Sequence, residues 1–271
     1  MALDKNQNVE TKKSNILIFF KKHLILTGLL IVIGSGFSFA MSDKPEIYSW
    51  KYKTTIIVDT PEGEKSGSAV REMSFVVVPC AKRAVEPCSI KASTKGEAVV
   101  IDLGRRGVAF ATMTDSSYYA VRDLFGGPGT LTFEGVKYYS TLKNTKASLS
   151  QPPFPTYPST QYPLMVTFKD MKDPKSIELV YRSERIRIPN QMEDDYKITD
   201  NFEKLFGKGV KIKDVTIEMT EEDITWGIDS YLAWLSDLAN KRARLNGSTS
   251  IAISTNDLSD NLGPGSFKIG R

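Results

Sequence analysis

The chain has 271 residues, a length that suits one domain or two small ones. Its 36 basic and 32 acidic residues give a net charge of +4, but residues 1–40 hold five lysines and only two acids. The rest of the chain carries 31 basic and 30 acidic residues, a net charge of about +1. A near-neutral domain has no basic face to neutralise phosphates, which argues against nucleic-acid binding.

The first element in chain order is an uncharged apolar run. Leu24 to Ala40 contains 17 residues without a charge, and lysines precede it at positions 12, 13, 21 and 22. Basic residues resist translocation, whereas an apolar helix partitions into lipid. We therefore expect everything after Ala40 to cross a membrane, and we predict a periplasmic location for it.

Two interpretations of this N-terminal segment stand side by side. Ser38-Phe39-Ala40 satisfies the small-x-small requirement of a signal peptide that is cleaved between Ala40 and Met41. The run is also at the short limit for a transmembrane helix, so in the second interpretation residues 15–40 remain as an anchor. The folded part is then either soluble in the periplasm or attached to the inner membrane.

Alternation of apolar residues predicts antiparallel strands through the first half. Trp50–Val58 puts every second residue on one face, and Thr60–Gly63 supplies turn residues. Further strands are predicted at 73–78, 98–103, 108–113 and 130–139, and a helix at 116–125. Arg105 and Arg106 lie at the hairpin tip between two of these strands, where charged side chains contact solvent or a partner.

Cys80 and Cys88 are the only cysteines, and seven residues separate them. An isolated pair in an oxidising compartment is typical of a disulfide that closes a small loop. Two thiolates are too few for a zinc site, and no histidine lies nearby. We predict a structural disulfide here and no metal or other cofactor.

The second half begins with a proline-rich stretch, residues 150–163. We interpret it as a surface loop, with a recognition segment as the alternative. Strands are predicted at 164–168, 176–180 and 210–219, and a helix at 199–206. A C-terminal amphipathic helix is predicted from Ile228 to a stop at Asn246-Gly247, because its apolar residues Ile228, Leu232, Leu235, Leu238 and Ala239 recur at helical spacing. Trp226 and Trp234 lie on or beside this helix, and we expect them either to pack in the core or to contact a partner. Residues 248–271 are predicted to be disordered.

These elements predict one α+β domain over residues 46–247, mainly antiparallel sheet with the C-terminal amphipathic helix. An N-terminal signal or transmembrane helix precedes it. The only histidine is His23, within the N-terminal segment, so the predicted domain has no imidazole for nucleophilic, acid–base or zinc-dependent catalysis. Paired carboxylates remain as candidates at 193–195 and 221–223, although both clusters lie in polar stretches.

Three segments carry a resemblance to other sequences. The first is Tyr52–Ser68, which contains Ile56-Ile-Val-Asp-Thr-Pro-Glu-Gly63. The second is Tyr162–Lys175, which contains Leu164-Met-Val-Thr-Phe-Lys-Asp170. The third is Phe206–Leu235, which contains Phe206-Gly-Lys-Gly-Val210 and Thr225-Trp-Gly-Ile228. Together they resemble an uncharacterised group of exported or membrane-anchored proteins of alphaproteobacteria. The resemblance covers most of residues 48–236. It implies a bacterial, non-cytoplasmic α+β domain and gives no activity.

The leading functional hypothesis is a non-enzymatic envelope protein that binds another envelope protein or a small ligand. It follows from the export segment, the missing histidine and the lack of a cofactor motif. The alternative is a histidine-independent hydrolase with paired carboxylates or a Ser-Lys pair, and a further alternative is an immunity or antagonist protein. Candidate partner contacts are Arg105, Arg106, Trp226 and Trp234, and no catalytic residue is assigned.

Overall fold

The computed structural model describes residues 45–78, 89–113, 117–149, 162–186, 195–249 and 257–270. Several predicted features lie outside these residues: the N-terminal helix, the Ala40–Met41 junction, Cys80 and Cys88, and almost all of the proline-rich stretch. The strands described are β1 (Glu46–Thr60), β2 (Gly63–Val78), β3 (Ser89–Glu97), β4 (Val99–Asp102), β5 (Val108–Ala111), β6 (Lys146–Ser148), β7 (Met165–Phe168), β8 (Ile177–Ile186), β9 (Asp195–Asp200), β10 (Lys211–Thr220) and β11 (Lys268–Ile269). The α-helices are α1 (Ser117–Phe125), α2 (Phe133–Tyr139), α3 (Phe202–Phe206), α4 (Leu235–Asn240) and α5 (Leu258–Asn261).

The strands form two antiparallel sheets. One has the order β11-β3-β2-β1-β10-β6, and the other has the order β4-β5-β7-β8-β9. The long hairpin β1–β2 dominates the first sheet, where it pairs without interruption from Glu46 opposite Val77 to Thr60 opposite Gly63. Its turn is the one predicted from Thr60–Gly63.

One stretch of chain belongs to both sheets. Only Ala98 separates β3, in the six-stranded sheet, from β4, in the five-stranded sheet. Near this crossing β2 approaches β4 so closely that a Cβ atom at Gly67 would lie 2.0 Å from the carbonyl oxygen of Val100. A side chain at position 67 would therefore force the two strands apart.

The inner core lies between the two sheets. Alternate residues of β1 are buried there, as the period-2 pattern predicts, and they include Trp50, Tyr52 and Ile56. The facing sheet contributes Ile101 and Tyr181, both fully buried. Each large apolar side chain buried in this way contributes about 1.5–3 kcal/mol.

A second core covers the outer face of the five-stranded sheet. The C-terminal part of the chain packs there as short helices, turns and β11, and we call it the outer layer (residues 225–249 and 257–270). Its buried side chains include Ile228, Leu232, Leu235, Leu238, Leu258, Leu262 and Phe267. All four residues of β7 are consequently buried, because both faces of that strand are covered.

Two predicted elements have a different secondary structure. The strand expected at 130–139 is instead the helix α2, and the Thr132 hydroxyl caps it by accepting a hydrogen bond from the Gly135 amide at 3.0 Å. The helix expected at 199–206 starts later, because β9 pairs with β8 as far as Asp200. In both places the secondary structure is determined by strand pairing or helix capping rather than by local propensity.

The C-terminal predictions need correction too. In place of one amphipathic helix from Ile228, the chain forms a 3₁₀ turn at Ile228–Ser230 and then the six-residue α4. The prediction of a disordered tail is wrong for residues 257–270, which form α5, a 3₁₀ turn and β11. The scattered apolar residues Leu258, Leu262 and Phe267 are buried in the second core and so order this segment.

The main regular structure of the described chain is thus antiparallel sheet, with a few short helices, which confirms the α+β prediction at that level. From Pro45 onward the chain forms one compact unit. Across the residues described, we find no helix with the length and apolar character to span a membrane.

Candidate functional site

Arg106, predicted as a partner contact, has an internal role. Its guanidinium donates to both carboxylate oxygens of Glu62, at 2.8 and 2.7 Å, and to the carbonyl oxygen of Phe206 at 2.7 Å. The hydrogen bond from Arg106 lowers the pKa of the Glu62 carboxyl to about 2. Arg106 therefore ties the β1–β2 turn to the end of α3, while Arg105 beside it is exposed.

The two predicted tryptophans are likewise separate from the arginines. The Trp234 indole donates from Nε1 to the carbonyl oxygen of Met171 at 2.9 Å, and its ring packs edge-on against Phe168 and Phe267. Trp234 is thus part of the second core. Trp226 is half-buried in the segment before the 3₁₀ turn at Ile228–Ser230. The structure does not gather the four predicted contact residues into one site.

The acidic cluster at 221–223 lacks the surroundings of a catalytic pair. Glu221 pairs with Lys143, Glu222 with Lys53 at 2.9 Å, and Asp223 lies 3.8 Å from Lys51. All three carboxylates are exposed, and the hydrogen bond from Lys143 lowers the pKa of Glu221. A general acid needs the opposite shift.

The other acidic cluster is largely outside the structure: Glu193 and Asp194 are not among the described residues, and only the backbone of Asp195 is. In the described ranges, no group of three or more His, Cys, Asp or Glu side chains is arranged to hold a metal ion.

A buried carboxylate that no sequence pattern indicates positions the start of the outer layer. Glu97 is 2% exposed, and its two oxygens accept hydrogen bonds from the Gly227 amide at 2.9 and 2.7 Å and from the Ile228 amide at 3.0 Å. The buried Arg71 donates from Nε to the carbonyl oxygen of Glu97 at 2.9 Å. These bonds fix the 3₁₀ turn that begins at Ile228.

That turn places Asp229 at the edge of a cleft. Lys268 of β11 pairs in register with Glu97 of β3, and its Nζ donates to the carboxylate of Asp229. The ion pair forms one side of an open cleft of about 470 Å³, which we call the C-terminal cleft. Its lining comprises Asp229, Leu235, Ser236, Ala239, Asn240, Pro264, Lys268 and Gly270.

The C-terminal cleft has a lining that is more polar than apolar. Leu235, Ala239 and Pro264 supply apolar surface, while Ser236 and Asn240 supply a hydroxyl and an amide. An adjoining depression of about 640 Å³ shares Ala239 and Lys268 and adds Arg242 and Arg244 to the lining. Such a lining suits a small ligand with an anionic group and a short apolar part.

No local pattern in the sequence indicates the C-terminal cleft, because its residues come from three separate segments, at 229, 235–240 and 264–270. Only the contacts of the outer layer bring them together, and the last segment was predicted to be disordered. The one local signal is the Gly-Pro-Gly of residues 263–265, which indicates a turn between ordered elements.

Comparison of the chain with protein-family models, with curated proteins and with solved structures gave no match. No relative therefore contributes a ligand or a residue role to the C-terminal cleft. What the cleft can bind follows from its own side chains and volume.

Proposed function

We propose that this chain is a non-enzymatic protein of the bacterial envelope that binds a small carboxylate in the C-terminal cleft. The apolar run after the N-terminal lysines, together with the resemblance to exported proteins of alphaproteobacteria, supports a location outside the cytoplasm. The observation that carries the binding function is the C-terminal cleft itself. Its volume of about 470 Å³ falls in the range typical of small-molecule sites.

The charge of the lining favours an anionic ligand. Lys268, Arg242 and Arg244 border the two adjoining depressions, whereas among the described residues Asp229 is the single acidic side chain that lines them. A carboxylate placed beside Lys268 would share its ammonium group with Asp229, and the apolar part of the ligand would cover Leu235 and Ala239. Hydrogen bonds to charged groups contribute about 1.5–3 kcal/mol each, so one such contact with apolar burial gives weak but specific binding.

The alternative functions have less support. The exposed, lysine-paired Glu221–Asp223 does not favour a carboxylate hydrolase. No described contact favours an immunity protein. The alternative ligand is a protein partner that binds elsewhere on the surface. Arg105 is the candidate contact for such a partner, because it is exposed and makes no described side-chain contact.

Binding is tested by saturation-transfer NMR with butyrate and hexanoate as probes and the purified full chain as receptor. Ala239 borders both depressions, so Ala239→Trp fills the C-terminal cleft, and the exposed Ala92 of β3 provides the matched control Ala92→Trp. We expect hexanoate to receive saturation from the wild type and from Ala92→Trp, and at least tenfold less from Ala239→Trp. Equal transfer in all three chains, or none in the wild type, would overturn the proposal.

A further inference from the structure

Asn246 and Gly247 form the only Asn-Gly dipeptide in the chain. An asparagine followed by glycine is especially prone to spontaneous deamidation, because glycine has no side chain to hinder attack by its own backbone nitrogen. That nitrogen bonds to Cγ of the asparagine, the Cγ–Nδ2 bond breaks, and ammonia leaves with the amide proton. Water then opens the cyclic imide to aspartate or isoaspartate. One side-chain amide thus becomes one carboxylate, and nothing is oxidised or reduced.

The fold uses both ends of the Asn246 amide group. Nδ2 donates a hydrogen bond to Oδ1 of Asp260, and Oδ1 accepts one from the backbone amide of Ser248 at 2.7 Å. A carboxylate accepts hydrogen bonds but has no donor to offer. Deamidation at position 246 therefore removes the bond to Asp260 and places a second negative charge against that carboxylate.

Position 247 requires glycine for a different reason. Gly247 has a φ of +86°, in the left-handed region that residues with a side chain adopt only with strain. A larger residue at this position would hinder attack on Asn246, but it would also strain the turn. The reactive dipeptide is therefore part of the turn itself, because the fold needs each of its two residues where it lies.

In the closed structure the same contacts protect the dipeptide. The attacking nitrogen of Gly247 donates its hydrogen to the carbonyl oxygen of Arg244 at 2.9 Å. The side-chain amide of Asn246, which this nitrogen must reach, is held on one side by Asp260 and on the other by Ser248. Attack requires the Gly247 nitrogen to lose its proton and the Asn246 side chain to rotate, so these hydrogen bonds must break first. Deamidation is therefore slow while the turn is intact.

Hydrogen bonds also hold the turn against α5. The Asn246 backbone amide donates to the carbonyl oxygen of Ser259 at 3.0 Å, and the Leu245 amide donates to that of Leu262 at 3.0 Å. The Arg244 guanidinium donates to two further carbonyl oxygens of α5. Because α5 is only one helical turn long, its separation from this turn breaks few contacts and costs less free energy than global unfolding.

We infer that Asn246 is a deamidation site whose rate is set by the separation of α5 from the turn at Asn246 and Gly247. Each separation exposes the reactive dipeptide. The product cannot close as before, because carboxylates at positions 246 and 260 then repel each other. Arg244 and Asn261 also line the depression beside the C-terminal cleft, so this depression loses part of its wall when α5 separates. The inference depends neither on the envelope location nor on the ligand proposed above.

The first test follows deamidation of the purified full chain at pH 8 by mass spectrometry of the peptide that contains Asn246. The wild type in guanidinium chloride gives the unprotected rate. Asp260→Ala removes the acceptor of the Asn246 side chain, and Asp237→Ala is the matched control, because Asp237 is an exposed acid of the outer layer that pairs with Lys241. If Asp260→Ala does not fold, as judged by circular dichroism, Arg244→Gln replaces it, since this change removes the guanidinium bonds to α5.

We expect the folded wild type to deamidate at least tenfold more slowly than the chain in guanidinium chloride. Asp260→Ala should deamidate at least fivefold faster than the folded wild type, whereas Asp237→Ala should stay within twofold of it. Equal rates in the folded and the denatured wild type would overturn the inference. Equal rates in the two variants, or no reaction at position 246 in the denatured chain, would overturn it as well.

The second test uses Asn246→Asp in place of the aspartate product and measures amide hydrogen exchange in residues 257–262. Asn144→Asp is the matched control, because it makes the same charge change at an exposed asparagine outside the outer layer. We expect exchange in these residues to be at least fivefold faster in Asn246→Asp than in the wild type and unchanged in Asn144→Asp. Equal exchange in the two variants would show that the product closes normally, which contradicts the inference.

Discussion

The two faces of the five-stranded sheet are covered in different ways. On the inner face, the six-stranded sheet supplies side chains at every second position, such as Trp50 stacked on Phe75 with ring centroids 4.4 Å apart. On the outer face, short helices and turns supply single residues such as Phe267, whose ring meets those of Phe110 and Phe168. The inner face shows how a regular pattern builds a core, and the outer face shows that isolated residues can do so when the backbone is held by other means.

Specific polar contacts hold the outer layer. Glu97 anchors Gly227 and Ile228, the Trp234 indole bonds to Met171, and the amide of Ala98 donates to the carbonyl oxygen of Phe267 at 2.7 Å. Buried polar groups are costly when they lose a partner. We therefore expect the outer layer to depend on a few hydrogen bonds, whereas the inner core depends mainly on apolar burial.

Phe267→Ala should have the largest effect on the free energy of unfolding. It tests whether the outer layer contributes to stability as a second core. Phe267 and Phe75 are both fully buried, so Phe75→Ala is the matched change on the inner face. Each should lower the free energy of unfolding by about 3–5 kcal/mol, measured by urea denaturation. If Phe267→Ala costs less than about 1 kcal/mol while Phe75→Ala keeps its full effect, the outer layer only covers the sheet.

Glu97→Gln tests whether polar contacts hold the outer layer, because it removes the carboxylate charge and leaves the side-chain volume almost unchanged. The glutamine keeps one acceptor oxygen, but its amide group then faces backbone donors that the carboxylate satisfied. We expect a loss of about 2–3 kcal/mol in urea denaturation. The control is Glu134→Gln at an exposed position of α2, which should change stability by less than about 0.5 kcal/mol. Equal effects of the two changes would contradict the anchoring role of Glu97.

The smallest expected effects compare two tyrosines of the inner core. Tyr139 has carbonyl partners for its hydroxyl, whereas the hydroxyl of Tyr181 is buried without a hydrogen-bond partner in the described part of the chain. Tyr139→Phe should cost about 1 kcal/mol, and Tyr181→Phe should cost nothing or stabilise the fold. Thermal unfolding at pH 7 measures the stability of both variants. If Tyr181→Phe lost as much stability as Tyr139→Phe, the Tyr181 hydroxyl would have a hydrogen-bond partner outside the described part of the chain.

The same pair gives a prediction on alkaline pH. Burial raises the pKa of Tyr181 to about 12, above the ordinary value of 10.0, so its ionisation is disfavoured in the folded state. Wild-type stability should fall relative to Tyr181→Phe as the pH rises above about 10, because the unfolded chain then releases this proton first. Urea denaturation of both chains at pH 8 and pH 11 measures the change.

Much of the inner core can be predicted from the sequence, because β1 alternates strictly and Thr60–Gly63 has clear turn chemistry. The helix α2 was predicted as a strand although Phe133, Val136 and Tyr139 recur at a spacing of three, as on a helix face. Its aromatic and β-branched residues favoured the strand interpretation locally. The Thr132 cap and the fit of Gly135 against Gly129 decide the outcome.

The outer layer and its cleft could not be predicted in the same way. Phe267 is a lone apolar residue among glycine, serine and lysine, and no periodic pattern predicts its burial. Lys268 meets Asp229 across 38 intervening residues of chain, so their proximity depends on the completed fold. Contacts of this long range carry no local signal.

The late position of Phe267 and β11 affects when the molecule can finish folding. β11 follows all the other described strands in the chain and pairs with β3, and Phe267 beside it closes the second core. During synthesis from the N-terminus, the outer face of the five-stranded sheet stays open until Phe267 has emerged. During that interval the exposed strands β5 and β7 would be open to chaperones and proteases, so the speed of final closure would limit the yield of native protein.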